Sequence, residues 1–260
     1  MLKPKAYDAF KNMAIDEAIL QSRICEKTPN TLRLYRWHPS AVSIGRFQNI
    51  YSEVNLENCS SHGVDVVRRI SGGGAVYHDE ENELTYSIVA KKEDLGINDV
   101  AEIFNYICRG IVETAHILGV DADFTKGNYK QCPNITIGGR KLSGSSQANR
   151  KGVVLQHGTF LVDVDLRKMF TFLKVPWIKA SVDLEKIAER KITSIVGELG
   201  RQVSVAKVCK AVVEGFEKVL SRDLVEGNLT EDELKLARKL KREKFSTKEW
   251  NVNGKSNLTL

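Results

Sequence analysis

The stretch "RRISGGGAVYHD", residues 68–79, places two arginines, three consecutive glycines and a His-Asp pair close together. Glycines that follow an apolar strand let the backbone approach a ligand closely, and their N–H groups can surround a phosphate or carboxylate. Arg68 and Arg69 can add charge-assisted hydrogen bonds to the same anion. The spacing matches neither G-x-G-x-x-G nor a Walker loop. The residues alone leave two interpretations about equally open: an anion-binding loop, or a turn beside an exposed basic strand.

The segments around this loop predict an α+β protein with a mixed or antiparallel sheet. "VDVVRR" (64–69) and "ELTYSIVAK" (83–91) are typical of strands, and the apolar spacing over residues 98–118 predicts an amphipathic helix. "ITIGGRKLSGSS" (135–146) predicts a hairpin that turns at its Gly-Gly pair, and "GVVLQHGTFLVDV" (152–164) predicts a long strand pair. Because strands outnumber helices and many are linked by hairpins, a doubly wound fold is disfavoured.

The chain is predicted to form one domain over residues 1–260, with a helical tail from about residue 221. No repeat, low-complexity tract or Pro-rich linker divides it. Helices are expected at about 204–220 and 231–243. The chain length allows a large core without disulfides.

Composition favours a soluble cytoplasmic protein. The five cysteines form no C-x-x-C pair, so neither a disulfide framework nor a zinc site is indicated. The start "MLKPKAYDAF" has no apolar signal core, and no stretch approaches the roughly 18 apolar residues of a membrane span. The net charge of +6 would steer an anionic substrate or an acidic partner. Nucleic acid is disfavoured, because the largest basic run, "LKLARKLKREK" (234–244), is typical of a solvated helix face.

Three further positions could carry chemistry. In "GGRKLSGSSQ" (138–147), Arg140 and Lys141 face opposite ways along a strand, so at most one can point into a shared site. His157 lies in an apolar strand, where a half-buried structural histidine is the commoner explanation. Cys132 lies in a predicted loop near several basic residues, which could lower a thiol pKa, although a lone loop cysteine is more often unreactive.

Taken together, these clusters resemble the lipoate-protein ligase family, which shares its fold with octanoyltransferases and biotin-protein ligases. The likeness runs from "MAIDEAIL" (13–20) through the glycine loop, "GGRKLSGSSQ" and "QHGTFLVDVDL" (156–166) to "FSTKEWN" (245–251). It implies a mixed sheet packed by helices, with lipoate or its adenylate across the glycine loop. The resemblance implies Lys141 as the catalytic residue and, around the adenylate, Arg68, Arg69, Ser71, Gly72, Gly73, Gly74, Ala75, Val76, His78, Gly144 and His157.

The ligase that this likeness implies would use ATP with Mg²⁺ to convert lipoate or octanoate to an acyl-adenylate. A lysine of an acceptor, either a lipoyl domain or the glycine cleavage H protein, would then attack the activated carbonyl. Two anions must meet in the first step, so charge neutralisation and alignment are the protein's tasks. Lys141 can stabilise the oxyanion of the second step. No protein ligands for a metal are predicted.

Two departures from the family pattern bear on the reaction. "HDEENELTYS" (78–87) lacks the Gly-Asn-x-Asn of many ligases and, with "GSSQ" and "LQHG", looks more like a cysteine-dependent octanoyltransferase. Cys132 would then be the nucleophile that carries the acyl group as a thioester. Against this, Cys132 lies only nine residues before Lys141, and the loop keeps a glycine where the transferases tend to have arginine. We therefore expect the ligase, with the transferase as the alternative.

The second departure is length. The chain ends soon after "STKEWN", whereas long bacterial ligases continue into a small C-terminal domain, so the resemblance makes a separate accessory chain plausible. A third interpretation, a non-catalytic carrier-binding module, is disfavoured because Lys141 and both arginines are retained.

Overall fold

The computed structural model of the chain describes residues 1–125, 134–175, 184–256 and 258. Strands and helices are numbered separately here, in chain order. The strands are β1 Leu2–Tyr7, β2 Thr31–Trp37, β3 Ala41–Ile44, β4 Asp65–Arg68, β5 Val76–His78, β6 Glu83–Lys91, β7 Asp123–Thr125, β8 Asn134–Ile137, β9 Arg140–Arg150 and β10 Val153–Leu161.

The three longest helices each begin at a polar residue whose side chain accepts a hydrogen bond from the first turn: Asp8, Asp99 and Ser204. A π-helical segment, Lys241–Phe245, connects the last two helices. The helices are α1 Ala9–Ile24, α2 Ile50–Glu53, α3 Leu56–Ser61, α4 Lys92–Leu95, α5 Val100–Leu118, α6 Leu166–Phe172, α7 Leu184–Glu189, α8 Ile195–Leu199, α9 Val205–Leu220, α10 Glu231–Leu240 and α11 Lys248–Asn253.

The described strands form two sheets. The larger has the order β1-β2-β6-β10-β9-β8-β7, antiparallel except for the parallel pair β1–β2. The smaller has the order β4-β3-β5, with β3 parallel to β4 and antiparallel to β5. The glycine loop lies between β4 and β5. The predicted α+β class with a mixed sheet packed by helices is confirmed.

The hairpin β8–β9 confirms the prediction for residues 135–146. Its turn residues Gly138 and Gly139 have φ values of 54° and 79°, a region that few other residues adopt. The strand pair predicted over residues 152–164 is wrong. This stretch is one strand, β10, which pairs with β6 on one side and β9 on the other. β10 is buried along almost its whole length, and it contains no turn that would split it.

Helices cover both faces of the larger sheet. On one face, α5 and α9 pack against β6 and β10 in a single apolar cluster. On the other face, α1 packs with Leu240, Phe245 and Trp250 from the end of the chain. The helices predicted at 98–118, 204–220 and 231–243 are therefore present, the last one ending in the π-helical segment. Strand β1 escaped prediction because "LKPKAY" is a mostly exposed edge strand without an apolar alternation. No helix in the described ranges is long and apolar enough to cross a membrane.

Helices α5 and α9 cross at two glycines. A β-carbon on Gly110 would lie 2.4 Å from the Phe216 ring, and one on Gly215 would lie 2.6 Å from the Gly110 carbonyl oxygen and 2.8 Å from the Thr114 nitrogen. The obstacle at Gly215 is mostly backbone, which cannot rotate away. This contact holds the α5–α9 layer against the sheet.

We predict that Gly215→Ala lowers the free energy of unfolding by about 2 kcal/mol, because the two helices must separate. This loss would appear even though alanine favours a helix over glycine by about 1 kcal/mol. Denaturant unfolding followed by circular dichroism measures it. Glu214→Ala, on the exposed side of the same helix, is the control and should change stability by less than about 0.5 kcal/mol. An unchanged Gly215→Ala midpoint would contradict the packing argument.

Candidate active site

Two cavities meet at Lys141 on β9. The inner cavity, about 500 Å³, lies between α1, β2, the glycine loop and β10. The outer cavity, about 570 Å³, lies between the glycine loop, α6 and α7. Both are lined by Lys141, by Thr159 and by residues 74–76 of the glycine loop. A molecule lying across the loop could therefore occupy both cavities while its centre is next to Lys141.

The glycine loop is held by the side chain of Arg69. Its guanidinium donates hydrogen bonds to the carbonyl oxygens of Gly72 at 2.5 Å and Gly74 at 2.7 Å, and to Ser43 on β3. Gly73 has φ +85°, and a β-carbon there would lie 3.0 Å from the same guanidinium. The predicted close approach of backbone and ligand is therefore possible at this loop. Arg69 shapes the loop and also lines the inner cavity.

Arg68, which the resemblance implies around the adenylate, lines neither cavity. Its side chain is buried, points away from both cavities and donates to six backbone carbonyls. Successive residues of a strand face opposite sides, so of the two arginines only Arg69 reaches the inner cavity. Arg68 anchors the loop after β3 to the end of α11.

Lys141 lies in a gap that Gly144 leaves open. A β-carbon on Gly144 would lie 2.5 Å from the Lys141 Nζ atom, so any larger residue there would displace the amine. The Lys141 backbone pairs with Lys191 and Thr193, which fixes this part of β9. Arg140 faces the other way and forms an ion pair with Glu198 at 2.8 Å, as the alternation of side chains along the strand predicted. One half-buried cation, Lys141, thus stands where the two cavities join.

His157 takes part in a buried network at the closed end of the inner cavity. Its Nε2 atom lies 2.6 Å from the Ser71 Oγ atom, and its Nδ1 atom lies 3.4 Å from the Asp16 carboxylate. Burial by itself would raise the pKa of Asp16, but the Arg33 guanidinium and the hydrogen bond to His157 together outweigh burial and lower that pKa. Because a carboxylate only accepts, the network assigns the proton to Nδ1, so Nε2 accepts from the Ser71 hydroxyl.

This Ser-His-Asp arrangement is not a nucleophilic triad. Ser71 is buried and lines neither cavity, so no acyl group can reach its hydroxyl. Burial lowers the pKa of His157, and the nearby Asp16 carboxylate only partly offsets that effect. His157 is therefore neutral at pH 7 and lines the inner cavity as an uncharged wall. Asp16 and Ser71 fix its orientation.

His78 forms a second part of the same wall. Its ring stacks on Trp37 with 4.0 Å between centroids, and its nitrogens lie 2.8 Å from Ser43 Oγ and 2.8 Å from Glu83 Oε1. The Trp37 indole donates to Thr85 Oγ1 at 2.8 Å. The ring nitrogens of His78 and Trp37 are therefore all hydrogen-bonded to protein side chains.

The outer cavity has apolar walls and a basic opening. Met169, Phe170 and Leu173 from α6 and its C-terminal end line one side, and α7 lines the other. Lys174 and Lys191, both exposed, also line this cavity. Such a surface suits a molecule with an apolar middle and an anionic end.

Cys132 lies outside the described residues. Of the cysteines inside them, Cys25 is exposed, Cys59 and Cys108 are buried, and Cys209 is half-buried; none of these four lines either cavity. Within the described ranges, no group of three or more His, Cys, Asp or Glu side chains could hold a metal ion.

Sequence reasoning missed several residues of the inner cavity and its support. Trp37 lies on β2 and Thr85 on β6, and no local pattern in the sequence connects these two positions. Asp16 did carry a signal: it sits with Glu17 inside the apolar run "MAIDEAIL". Both carboxylates are buried, Asp16 against Arg33 at 2.6 Å and Glu17 against Lys244 at 2.7 Å. Two acids within an apolar helix face predict buried partners.

Comparison with known proteins gives a consistent family. Residues 8–217 match the model of the lipoyl protein ligase A/B catalytic domain. The octanoyltransferase LipM of Clostridioides difficile (strain 630) is 34% identical to this chain, over 95% of this chain and 96% of the relative. LipM of Symbiobacterium thermophilum is 37% identical, over 93% of each chain.

A solved structure from Thermoplasma acidophilum, of a bi-partite lipoate protein ligase with its E2 lipoyl domain, is similar throughout. The TM-score is 0.84 at 32% sequence identity, covering 99% of this chain and 98% of the other. Ligases and octanoyltransferases thus share this fold.

These relatives overturn the prediction of an ATP-dependent lipoate-protein ligase. The curated proteins that match over most of the chain are octanoyltransferases, which was the alternative interpretation. The prediction gave too much weight to the glycine loop and to the short spacing between Cys132 and Lys141. A shared fold supports both reactions, so the features of the fold could not separate them.

We predict that His157 makes the protein less stable as the pH falls below about 6.5, the ordinary pKa of an unfolded histidine. Below that pH the unfolded chain takes up a proton that the folded chain, with its lowered His157 pKa, still excludes. The His157→Gln variant should show a smaller loss of melting temperature between about pH 8 and pH 5. His62→Gln, at an exposed histidine, is the control and should keep the wild-type slope. An unchanged slope in His157→Gln would contradict a neutral buried ring.

Proposed function

Because this chain belongs to the family of lipoyl protein ligase A/B catalytic domains, we propose that it is an octanoyltransferase. It would move an octanoyl group from the thioester of a carrier protein to a lysine of an acceptor domain. The observation that carries the proposal is the likeness to LipM proteins over nearly the whole chain, together with a closed-ended cavity that has a lysine at its mouth.

The inner cavity suits a medium-length acyl chain. Its closed end is formed by buried side chains such as Met13, Tyr35 and Trp37, whereas Lys141 and Asn134 at its mouth are half-buried. An acyl chain would therefore enter with its apolar end first and leave its carbonyl beside Lys141. Burial of each methylene contributes about 0.8 kcal/mol, which favours this direction.

We propose Cys132 as the nucleophile. Its thiolate would attack the thioester carbonyl, the carrier thiol would leave, and the octanoyl group would remain on Cys132. Cys132 precedes Asn134 by two residues, a span of about 7 Å at most, and Asn134 lines the inner cavity. None of the described cysteines lines that cavity. In the second step the acceptor amine attacks the new thioester, forming an amide and releasing the Cys132 thiolate.

Lys141 would serve both steps. Each step passes through a tetrahedral intermediate whose oxygen carries negative charge, and an ammonium group fixed at the mouth of the inner cavity stabilises that charge. A nearby cation also favours the thiolate form of a cysteine. The glycine loop would add backbone N–H groups on the opposite side of the acyl group.

The acceptor in this proposal is a lipoyl domain or the H protein. The Thermoplasma ligase is described with an E2 lipoyl domain, which supports an acceptor of this kind. We place the reaction in the cytoplasm, since a thioester-forming cysteine needs a reducing environment and the described cysteines are all free thiols. The ATP, Mg²⁺ and accessory chain that the ligase resemblance implies stay predictions. The proposed thioester reaction consumes no ATP, so transfer by the purified chain alone, without ATP or Mg²⁺, would show that none of the three is needed.

The decisive experiment mixes the chain with octanoyl-carrier protein, without ATP or Mg²⁺, and records the intact mass of the enzyme. We predict one added octanoyl group that hydroxylamine removes, because thioesters react readily with it. Cys132→Ser should gain no octanoyl group and transfer none to a lipoyl domain, since an unactivated hydroxyl is a weak nucleophile. Cys25→Ser is the matched control and should behave like the wild type. Full transfer by Cys132→Ser, or transfer only from free octanoate with ATP, would overturn the proposal.

We further predict that Lys141→Met lowers the transfer rate by about a hundredfold or more, the usual effect of removing one preorganised electrostatic contact. Methionine keeps an apolar stem of similar length, so the fold should stay intact. Single-turnover transfer from the octanoylated enzyme to a lipoyl domain isolates the second step. Arg140→Met, which removes the neighbouring cation that points away, is the control and should keep most of the activity. Similar rates for both variants would remove Lys141 from the mechanism.

A further inference from the structure

An aromatic pair is exposed beside the outer cavity. The side chain of Phe47 is 90% exposed and that of Tyr51 is 58% exposed, on the short segment between β3 and α2 and on α2 itself. Gln48 and Glu53, from the same segment, line the outer cavity. Large apolar side chains left in water on a folded surface mark interaction sites, especially when they border an active site.

The segment that carries Phe47 is firmly held. The Arg68 guanidinium donates to the carbonyl oxygens of Gly45, Arg46 and Gln48 at 3.0, 3.1 and 2.8 Å. The Gly45 amide donates to the Gln48 side chain at 2.8 Å, and the Arg46 amide donates to the Ser71 carbonyl at 2.8 Å. Phe47 is thus presented by a rigid backbone, and a partner that covers it would not have to order this loop first.

The surroundings of the pair are basic. The Arg46 guanidinium lies 5.7 Å from the Phe47 ring centroid, and Lys174 Nζ donates to the Tyr51 carbonyl at 3.0 Å. Lys191 also lines the adjoining outer cavity, and Glu53 is the one acidic residue among the described residues that line it. A partner that matches this surface therefore has an apolar patch bordered by acidic side chains.

We propose that Phe47, Tyr51, Arg46 and Lys174, called here the aromatic surface, dock the domain of the acyl donor. The donor is an acidic carrier domain whose thioester-bearing arm runs along the outer cavity to Lys141. The outer cavity connects the aromatic surface to the junction with the inner cavity, where the acyl carbonyl lies in the proposed reaction. This inference rests on the proposed octanoyl transfer and adds where the donor binds.

The test compares two donors with the same acyl group: octanoyl-carrier protein, and octanoyl-pantetheine, which has the arm but no protein domain. Phe47→Ala should raise the KM for octanoyl-carrier protein by about tenfold, the effect of losing one aromatic contact at an interface. Acylation by octanoyl-pantetheine should stay within about twofold of wild type, because a docking residue does not touch the arm. The melting temperature should not change, since the Phe47 side chain is almost fully exposed.

Two further variants make the test specific. Lys174→Glu should raise the KM for octanoyl-carrier protein, and the wild-type KM should rise with salt, because charge attraction between exposed groups is screened. Val225→Ala is the matched control: Val225 is 81% exposed, lines neither cavity and should leave both donors unaffected when replaced.

The outcomes separate the two proposals. An unchanged KM for octanoyl-carrier protein in Phe47→Ala, or an equal loss with both donors, would overturn the docking surface while leaving octanoyl transfer in place. A wild-type enzyme that accepts an octanoyl group from neither donor would overturn octanoyl transfer itself, and the docking surface with it.

Discussion

The site depends on one buried guanidinium. Arg68 is 2% exposed, and its six hydrogen bonds go to carbonyl oxygens of residues 45, 46 and 48 and of residues 250–252. The latter belong to the last turn of α11, where carbonyl oxygens run out of helical partners, although Trp250 also accepts from the Gly254 amide. The negative end of that helix thereby compensates a cation that would otherwise be costly to bury. One side chain thus fixes the loop after β3, the start of the glycine loop and the end of α11.

The fold could be predicted from the sequence where apolar periodicity was strong. The strand β6 and the helices α5 and α9 follow from runs whose spacing allows one interpretation. The role of Arg68 did not follow, although the alternation of strand side chains, which correctly separated Arg140 from Lys141, applies equally to Arg68 and Arg69. Which of two adjacent arginines turns away from the inner cavity depends on α11, which lies about 180 positions further along the chain. Local patterns contain no information about such a partner.

The choice between ligase and transferase failed for a related reason. The separation of nine positions from Cys132 to Lys141 looked short, but the chain reverses at Gly138 and Gly139, which lie between these two residues. In the hairpin β8–β9, Asn134 pairs with Gly144 and Thr136 pairs with Lys141. Across a hairpin, the number of residues between two positions does not set the distance between their side chains, because that distance also depends on where the turn lies. The inner cavity does not distinguish a ligase from a transferase either, because an acyl chain needs the same walls in both reactions.

The two-cavity arrangement explains why a covalent intermediate suits the proposed transfer. Lys141 stands at one junction, and the donor arm and the acceptor lysine must both bring their reacting atoms to it. In the proposed transfer, an acyl group held on the enzyme lets the donor leave before the acceptor enters, so the two would not need to fit there at the same time. A thioester on a cysteine stores the group at nearly the energy of the donor thioester, without a nucleotide. A ligase on the same fold would store it as a bound adenylate instead, with the nucleotide filling space that the transferase leaves for an arm. A ligase and a transferase on this fold would then differ in the cysteine nucleophile and in what fills the outer cavity. The acyl chain and Lys141 would occupy the same positions in both.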